Sequence, residues 1–249
     1  AFFLTHALEA QVVHAILACD DVDAVLGKAS SQDYRKMQTF SGFVAESLGY
    51  PLELHSFRGK NFSRDRVMAK LEGLKTSESD VVIFYYSGTG FRMPGRESWA
   101  PFLLFPGNQR EDSEALFGAL AAKTTGTLLF MLEAGNEEYS EGTTRLLAKS
   151  KPSARAALNV KRLFTERKYY VFQAATSPGE PSLAFDEGSA MTTIFIETFM
   201  RAIEGQDLTW ETILEDVSET VATETASQQT PNFLALDHTP TAVSAAVSP

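Results

Sequence analysis

The amino-acid sequence predicts an α/β domain in which helices cover both faces of a mostly parallel sheet. Apolar runs of the length of a buried strand alternate along the chain with segments whose apolar residues recur at helical spacing. The chain has 249 residues, of which 44% are hydrophobic, and this is enough for one domain with a sizeable core. Neither an internal repeat nor a linker divides the sequence. We therefore expect residues 1–249 to form a single domain, with a loose tail over residues 239–249.

The stretch from Ser79 to Arg92, SDVVIFYYSGTGFR, contains the clearest predicted strand. β-Branched and aromatic residues follow one another from Val81 to Tyr86, as in a strand that is buried on both faces. Glycines at positions 88 and 90 then allow a sharp turn. In an open α/β sheet the loops after the carboxyl ends of strands hold the functional groups. Residues 87–92 are therefore the first place to look for a site, and the alternative is a buried strand with a plain tight turn.

Six strands and five helices are predicted in all. The strands are Gln11–Cys19, Pro51–Phe57, Asp80–Tyr86, Gly126–Glu133, Lys168–Thr176 and Gln229–Leu236. The first three helices are Ser31–Leu48, Ser63–Leu74 and Asp112–Lys123. The last two carry apolar residues at helical spacing, one at Met191, Ile194, Phe195 and Phe199 and the other at Trp210, Ile213, Leu214, Val217 and Val221. The segment Arg92–Asn108 is rich in proline and glycine and predicts an irregular loop, and Glu137–Arg167 is polar and partly helical.

Local signals predict where the first two helices begin and end. Val22–Ser30 is expected to be a loop, and Ser30 or Ser31 is expected to cap the first helix at its N-terminus. Gly49 is expected to end that helix. Ser63 is expected to cap the second helix.

The acidic composition argues against several classes of partner. The net charge is −10 and the isoelectric point is near 4.9, whereas a nucleic acid or an anionic membrane surface binds a basic face. No apolar run reaches the roughly 18–20 residues of a membrane-spanning helix. The single cysteine, Cys19, excludes an intramolecular disulfide and a zinc site built on several thiolates. The compartment stays open, because a chain that starts without Met fits both a cytoplasmic protein and one exported after removal of a leader.

Common catalytic motifs are absent. A dinucleotide-binding loop needs a third glycine where Met93 follows Gly88-Thr89-Gly90, and Tyr85 stands where a nucleophile elbow around Ser87 needs a glycine. There is no Walker loop. The four histidines, which are His6, His14, His55 and His238, lack the spacing of metal ligands. His14 is expected to be a core residue with satisfied hydrogen bonds.

Carboxylates gather at the carboxyl ends of two predicted strands. Asp20 and Asp21 follow the first strand, and Glu133 ends the strand that begins at Gly126. Together with Ser87 they would form an acidic mouth that suits an Arg or Lys side chain. The alternative is a set of solvated loop carboxylates in an acidic protein.

Two segments carry a resemblance to a known family. Ser79–Gly90, SDVVIFYYSGTG, is similar to a strand written roughly DDVVIFYYSGHG, and Leu132–Asn136, LEAGN, lines up with D-x-C-[HN]. These motifs hold the catalytic histidine and cysteine of the caspase-like cysteine peptidases, and the chain resembles their metacaspase-like branch found in bacteria. Further parts of the chain also fit, namely Asp20, Gly27–Ser30, Ser177–Glu180, the helix with Phe195, and Gln229–Pro231. The resemblance implies a caspase-like three-layer sandwich with a mostly parallel six-stranded sheet and helices on both faces.

Both catalytic positions depart from the family pattern. Thr89 takes the place of the histidine, and Gly135 takes the place of the cysteine. A family member attacks its substrate with a thiolate that an imidazole activates, but glycine has no side chain and threonine cannot accept a proton near neutral pH. Cys19 is predicted inside the first strand, where a thiol is usually inert packing. The resemblance therefore implies a pseudopeptidase without peptidase activity, with a binding or regulatory role.

The same resemblance implies that a pocket for basic side chains is retained. The matching positions are Asp20, Ser87 and Glu133. A basic peptide or an active peptidase relative is the expected partner, and a monomer is the expected state. No cofactor is expected, although calcium binding in some relatives makes Glu111, Asp112 and Glu114 candidates for a calcium site.

Three alternatives stay open. Ser87 or Thr89 could be a relocated nucleophile with Glu133 as its base, which would make the protein an active peptidase or hydrolase. A filled pocket would instead indicate a purely structural domain. In the family, the segment after the cysteine strand is often cut during activation, and the basic residues of Lys149–Lys168 indicate either such a cleavage site or a solvated basic helix.

Overall fold

The architecture was obtained as a computed structural model that describes residues 11–135, 152–206 and 208–239. The strands are β1 (Val13–Cys19), β2 (Leu52–Phe57), β3 (Val81–Gly88), β4 (Gly90–Phe91), β5 (Phe102–Phe105), β6 (Gln109–Asp112), β7 (Thr127–Ala134), β8 (Tyr169–Ala174), β9 (Ala184–Phe185), β10 (Gly188–Ser189) and β11 (Asn232–Asp237). The helices are α1 (Gly27–Leu48), α2 (Arg64–Glu72), α3 (Ser113–Ala121), α4 (Ala154–Lys161), α5 (Ala190–Ala202) and α6 (Trp210–Glu224). The tail after residue 239 lies outside the described residues.

Six strands form one sheet in the order β11-β8-β7-β3-β1-β2. All neighbouring strands are parallel except β11, which runs antiparallel to β8. The six predicted strands and the mostly parallel sheet are confirmed. Because the four central strands are parallel and buried, their carboxyl ends meet at one edge, where the loops after β1, β3 and β7 lie side by side.

Helices cover both faces of the sheet. α1, α4, α5 and α6 pack on one face, together with the odd-numbered residues of β3, and α2 and α3 pack on the other face with the even-numbered residues. This division follows from the alternation of side chains along a strand. The fold is therefore the expected three-layer sandwich. No helix in the described parts of the chain has both the length and the apolar character to cross a membrane.

The first helix begins earlier than predicted. It starts at Gly27, and its N-cap residue is Leu26, which makes no side-chain capping bond. The turn before it is held instead by Asp23, whose Oδ1 accepts hydrogen bonds of 2.7 Å from the backbone N–H groups of Val25 and Leu26. The predicted cap at Ser30 or Ser31 is therefore wrong, because both residues lie inside the helix. Gly49, in the left-handed conformation with φ 71°, ends the helix as predicted.

The second predicted cap is correct only in its position. Ser63 is the N-cap residue of α2, but its side chain makes no capping hydrogen bond.

The segment predicted as an irregular loop contains regular structure. β4, β5 and β6 form a small antiparallel sheet beside the carboxyl end of β3. Its apolar side chains Leu103 and Phe105 are fully buried, and Phe105 packs edge-on against Tyr86. Strands of two to four residues in a stretch rich in proline and glycine carry no recognisable alternation, so the prediction of a loop was wrong.

The basic segment is helical where the structure describes it. α4 continues into a π-helical turn, Arg162–Glu166, and Arg155, Lys161, Arg162 and Arg167 are exposed on this stretch. The described part therefore has the form of a solvated basic helix. Residues 149–151 lie outside the described residues, and cleavage in this region stays a prediction.

Candidate functional site

A cavity of about 430 Å³ opens at the carboxyl ends of β3 and β7. Four parts of the chain form its wall, namely the turn before α1, the loop after β3, the end of β7 and the 182–189 segment. The polar lining residues are Asp23, Ser30, Ser87, Thr89, Glu133, Ser182 and Ser189. Neither a lysine nor an arginine is among the described residues that line it. The cavity is not filled by side chains, so the structure argues against the reading of the domain as one with a packed pocket.

Thr89 and Gly135 lie on neighbouring loops and both line this cavity. The residues before them, Gly88 and Ala134, are paired in register at the ends of β3 and β7. Gly90 packs so closely on the end of β7 that an added Cβ would clash with the carbonyl oxygen of Gly135. The chain at 88–90 needs a glycine here for this close approach. The sequence predicted this juxtaposition of positions 89 and 135 correctly.

Ser87 is part of a buried hydrogen-bond cluster under the cavity. Its Oγ donates to Oδ2 of Asp33, 3.0 Å away, and the same oxygen accepts a bond of 2.6 Å from the Ser189 hydroxyl. The other Asp33 oxygen accepts a bond of 2.8 Å from the Ser189 backbone N–H. Burial raises the pKa of Asp33, while the bonds from Ser189 and Ser87 and the nearby Lys36 amine oppose that rise.

Asp33, and not the predicted Asp20, is the carboxylate that contacts Ser87. Asp20 does not line the cavity, and it follows Cys19, which is the β1 residue in register with Ser87. Because successive side chains of a strand alternate, Asp20 is directed toward the opposite face of the sheet, near Tyr86, and not toward Ser87. One of its oxygens is buried without a hydrogen-bond partner in the structure. The prediction of Asp20 as a pocket residue was therefore wrong.

A sequence signal for Asp33 exists but was missed. Asp33 precedes Met37 by four residues and Phe40 by seven, so it lies on the buried face of α1. Burial of a carboxylate on the apolar face of a helix is energetically unfavourable unless the carboxylate has hydrogen-bond or ionic partners. The unfavourable burial therefore indicates a specific role for Asp33. The prediction missed this role because it placed the start of α1 after Ser30, which concealed how close Asp33 lies to the ends of the strands.

Glu133 is buried at the end of β7, as predicted, and its carboxyl group is fully hydrogen-bonded. Oε1 accepts a bond of 2.6 Å from the Ser182 hydroxyl, and Oε2 accepts bonds of 2.9 and 2.8 Å from the backbone N–H and the hydroxyl of Thr192. Burial and, to a smaller extent, the neighbouring Asp33 carboxylate raise the pKa of Glu133, and the hydrogen bonds from Ser182 and Thr192 oppose that rise, so that the pKa is about 8. The raised pKa favours the protonated, neutral form of the group at neutral pH.

Lys36 is an internal cation beside this cluster. Its Nζ donates a hydrogen bond of 2.6 Å to the Thr193 hydroxyl, and it lies close enough to Asp33, Glu187 and Glu133 to interact with their charges. Burial lowers the pKa of Lys36, and the carboxylates counteract that effect. Part of the negative charge predicted for the pocket is thus balanced by the protein itself.

The described residues that line the cavity include neither an imidazole nor a thiol. In the described parts of the chain the histidines are His14, His55 and His238, and none of them lines the cavity; His6 lies outside the described residues. The thiol of Cys19 is fully buried inside β1, and burial raises its pKa well above the ordinary value. A thiol in that environment is inert, as the sequence predicted.

The relocated nucleophile also lacks its expected base. The oxygens of Glu133 bond to Ser182 and Thr192, and no hydrogen bond joins them to Ser87 or Thr89 within the described residues. The carboxylate that does contact Ser87 is Asp33. Ser87 is only 2% exposed. The structure thus shows Ser87 hydrogen-bonded to Asp33 and not to Glu133, and a relocated nucleophile stays a prediction.

The carboxylates predicted for calcium are occupied by arginines. Arg96 binds both oxygens of Asp112, at 2.7 and 2.8 Å, and also contacts Glu114 at 3.3 Å. Arg64 binds Glu111 at 2.7 Å. The hydrogen bond from Arg96 lowers the pKa of Asp112, whose Oδ1 also caps α3. These contacts do not fit a calcium site, which needs several free oxygen ligands around one ion.

Comparisons with known proteins agree on one architecture. A family model described as the caspase domain matches residues 29–242. Among solved structures the chain is similar to caspase-1 from Spodoptera frugiperda, with 15% identity and a TM-score of 0.55 over 90% of this chain and 85% of that one. A protein from Geobacter sulfurreducens gives 13% identity and a TM-score of 0.55, over 93% of this chain and 95% of that chain.

The Drosophila initiator caspase Dronc is a third similar structure, with 13% identity and a TM-score of 0.50 over 90% of this chain and 78% of its own. At these identities the structural similarity concerns the fold alone. No curated protein sequence matches the chain.

Proposed function

The chain belongs to the caspase-domain family, and we propose that it is a member without peptidase activity that uses its cleft to bind a ligand. The proposal rests on which residues line the cavity. The positions that resemble the family's histidine and cysteine are Thr89 and Gly135, and the described cavity wall contains neither an imidazole nor a thiol. The Ser87 hydroxyl donates a hydrogen bond to the Asp33 carboxylate, but a carboxylate is too weak a base to activate a serine hydroxyl as an imidazole activates a thiol.

The ligand that fits best is a positively charged side chain of a peptide. The cavity volume lies within the range of about 300–1,000 Å³ that small ligand sites occupy. Its described polar lining offers hydroxyl and carboxyl oxygens and neither a lysine nor an arginine, and Lys36 balances only part of the nearby negative charge. A guanidinium group carries five N–H donors and no acceptor, and it matches such a lining better than an anionic or purely apolar group does.

The charge state of Glu133 couples this binding to pH. The raised pKa favours the protonated form of the group at neutral pH, and a bound guanidinium would favour its ionised form. Binding of an Arg side chain would then release a proton from the protein. Glu133 would thus gain its negative charge when the pocket binds a cation.

Two assays on the purified chain test the proposal together. Fluorogenic peptides with Arg or Lys before the reporter group measure turnover, with the Ser87→Ala, Thr89→Ala double variant as the control. Fluorescence anisotropy measures binding of a labelled Arg peptide, and the same peptide with citrulline in place of Arg provides a neutral control of nearly equal shape.

We expect no turnover above the double variant and at least about tenfold tighter binding of the Arg peptide, because only it forms charge-assisted hydrogen bonds. Turnover that the double variant abolishes would overturn the proposal in favour of an enzyme with a relocated nucleophile. Equal binding of the Arg and citrulline peptides would overturn the choice of ligand. An active relative is a second partner of the same chemistry if it presents a basic loop.

A further inference from the structure

A second cluster of polar side chains lies at the opposite end of the sheet. His14 is the second residue of β1, and Glu53 and His55 are on β2. The parallel register pairs His14 with Glu53 and Ile16 with His55. Residues two apart on one strand share a face, so all three side chains lie on the same face of neighbouring strands. Sequence spacing could not reveal this cluster, because only the strand register brings the two histidines together.

The distances within the cluster match those between ligands of one metal ion. Oε2 of Glu53 lies 3.2 Å from Nδ1 of His14 and 3.6 Å from Nε2 of His55. Ligand atoms about 2.1 Å from a tetrahedral zinc ion lie about 3.4 Å from one another. The possible ligand atoms of all three residues lie within 4.8 Å of each other.

The ring nitrogens of His14 have no hydrogen-bond partner in the structure. His14 is 6% exposed, and both Nδ1 and Nε2 are buried without a hydrogen-bond partner. Nε2 of His55 is likewise buried and unpartnered. A buried imidazole that satisfies neither nitrogen is costly, and a ligand that coordinates it removes that cost. The expectation that His14 is a satisfied core residue is therefore not met.

Asp80 provides an outer contact of the kind that metal-binding histidines use. Its Oδ2 lies 3.5 Å from Nε2 of His14, on the side away from Glu53. Asp80 is itself 5% exposed and fixed by the backbone N–H groups of Val12 and Ser77, at 2.8 and 2.6 Å. A carboxylate at the second nitrogen orients the ring and makes the first nitrogen a better ligand.

We propose that His14, Glu53 and His55 bind a divalent transition-metal ion, with zinc as the fitting ion. Two imidazole nitrogens and one carboxylate oxygen are a preferred ligand set for zinc, and a water molecule completes the tetrahedron. Calcium is excluded by its preference for six to eight oxygen ligands. Glu53 is about half exposed, which gives the ion a path from solvent.

The site is separate from the cleft. His14 stands near the amino end of β1, whereas the cavity lies beyond its carboxyl end, about 20 Å away along a strand that rises about 3.3 Å per residue. Among the described strands β2 is at the edge of the sheet, where β1 is its one neighbour. A metal ion shared by β1 and β2 would therefore fix this edge of the domain, and the proposal does not depend on what the cleft binds.

The test uses the full chain without a histidine tag, purified metal-free and titrated with zinc chloride against a chromophoric chelator. We expect one bound zinc per chain and a higher melting temperature with zinc than without it. Glu53→Gln and His55→Gln change partly exposed ligands and should bind zinc at least about 100-fold more weakly, because changes to outer contacts alone cost about 10–100-fold.

His238→Gln is the matched control, because His238 stacks on Tyr170 of β8, which β7 and β3 separate from β1, and its ring contacts the Gly126 carbonyl oxygen at 3.0 Å. It should bind zinc as the unchanged chain does. Substitution of cobalt for zinc should give the absorption spectrum of a tetrahedral site in the unchanged chain and in His238→Gln, and not in Glu53→Gln or His55→Gln. Less than one equivalent of bound zinc, or equal affinity in Glu53→Gln and the unchanged chain, would overturn the proposal and leave His14 as a histidine between two carboxylates.

Discussion

The Ser87 hydroxyl donates a hydrogen bond of 3.0 Å to the Asp33 carboxylate and so joins the carboxyl end of β3 to the first helix. A second bond joins the same two elements in the opposite direction, since the Ser30 hydroxyl of α1 donates to the Ser87 carbonyl oxygen at 3.0 Å. Both contacts are buried. The floor of the cavity is therefore fixed by the residues that also fix the start of α1.

Replacement of Ser87 by alanine should lower the free energy of unfolding by about 1–3 kcal/mol. The change removes one of the bonds to a buried carboxylate, and a buried group that loses a partner costs about this much. Urea denaturation of the two proteins measures the difference. Ser56→Ala, at an exposed position of β2, is the control and should change stability by less than about 0.5 kcal/mol. Equal effects of the two substitutions would contradict the buried bond.

Binding of an Arg peptide should strengthen as the pH rises toward 8. The pKa of Glu133 is about 8, and the ionised form that a guanidinium favours is the minor form below that pH. Affinity should increase by up to about tenfold per pH unit below pH 8 and level off above it. Anisotropy titrations at pH 6.5, 7.5 and 8.5 would be compared with those of Glu133→Gln, which should show no such trend. A flat profile for the unchanged chain would show that Glu133 does not face the ligand.

Glu133 should also make the free protein less stable as the pH rises. Its pKa is raised in the folded chain, to about 8 from 4.5, so folding favours the protonated form. The contribution of Glu133 to the free energy of unfolding is fully present below pH 4.5. It is lost progressively as the pH rises through the pKa of Glu133 in the folded chain. Glu133→Gln resembles the protonated group and lacks this loss. Melting temperatures at pH 5 and pH 8.5 should therefore fall less in the variant, and parallel changes would contradict the raised pKa.

The double substitution Thr89→His, Gly135→Cys should introduce cleavage of Arg and Lys peptides. The two positions follow strand ends that are in register, and Gly90 holds the two loops in contact. A thiolate and an imidazole placed there would form the pair that the family uses. Each single variant is a control and should show no cleavage of these peptides. A folded double variant without activity would show that the loops do not hold these side chains in a reactive geometry.

Gly90→Ala should destabilise the domain by about 1–3 kcal/mol. The added Cβ would clash with the Gly135 carbonyl oxygen and lie 2.7 Å from the Ala134 side chain. Gly118→Ala is the matched control, because its Cβ would meet nothing within 4 Å in the middle of α3. That control should stabilise the chain by about 0.5–1 kcal/mol, since alanine is the better helix residue. A neutral Gly90→Ala would mean that the two loops are not packed as described.

The sheet could be predicted from the sequence because its signal is local and strong. Runs such as Val81–Tyr86 are apolar on every residue, and that pattern is typical of a buried parallel strand. β4 and β9 were not predictable in the same way, since each has only two residues and takes its structure from its neighbours. The pairing of positions 89 and 135 followed once β3 and β7 were recognised as adjacent.

The identity of the buried acid was harder to predict. Asp20 and Asp33 are both close to the carboxyl edge of the sheet, but only the face on which each lies decides which one meets Ser87. That face depends on where β1 ends and on where α1 begins. An error of four residues in the start of α1 was enough to hide Asp33. The contact of His14 with His55 and Glu53 depends on a strand register and was likewise hidden.

Thr89 and Gly135 lie just past the last residues of β3 and β7, and this position affects how freely the two residues can change during evolution. The side chains that hold the sheet together lie behind them, in β3 and β7, and these side chains are fully buried. Substitution at 89 or 135 alters the chemistry of the cleft without changing any core side chain. Natural selection for a folded protein therefore does not preserve a catalytic pair at these positions. Two amino-acid substitutions can therefore change which groups line the cleft and leave the buried side chains of the fold unchanged.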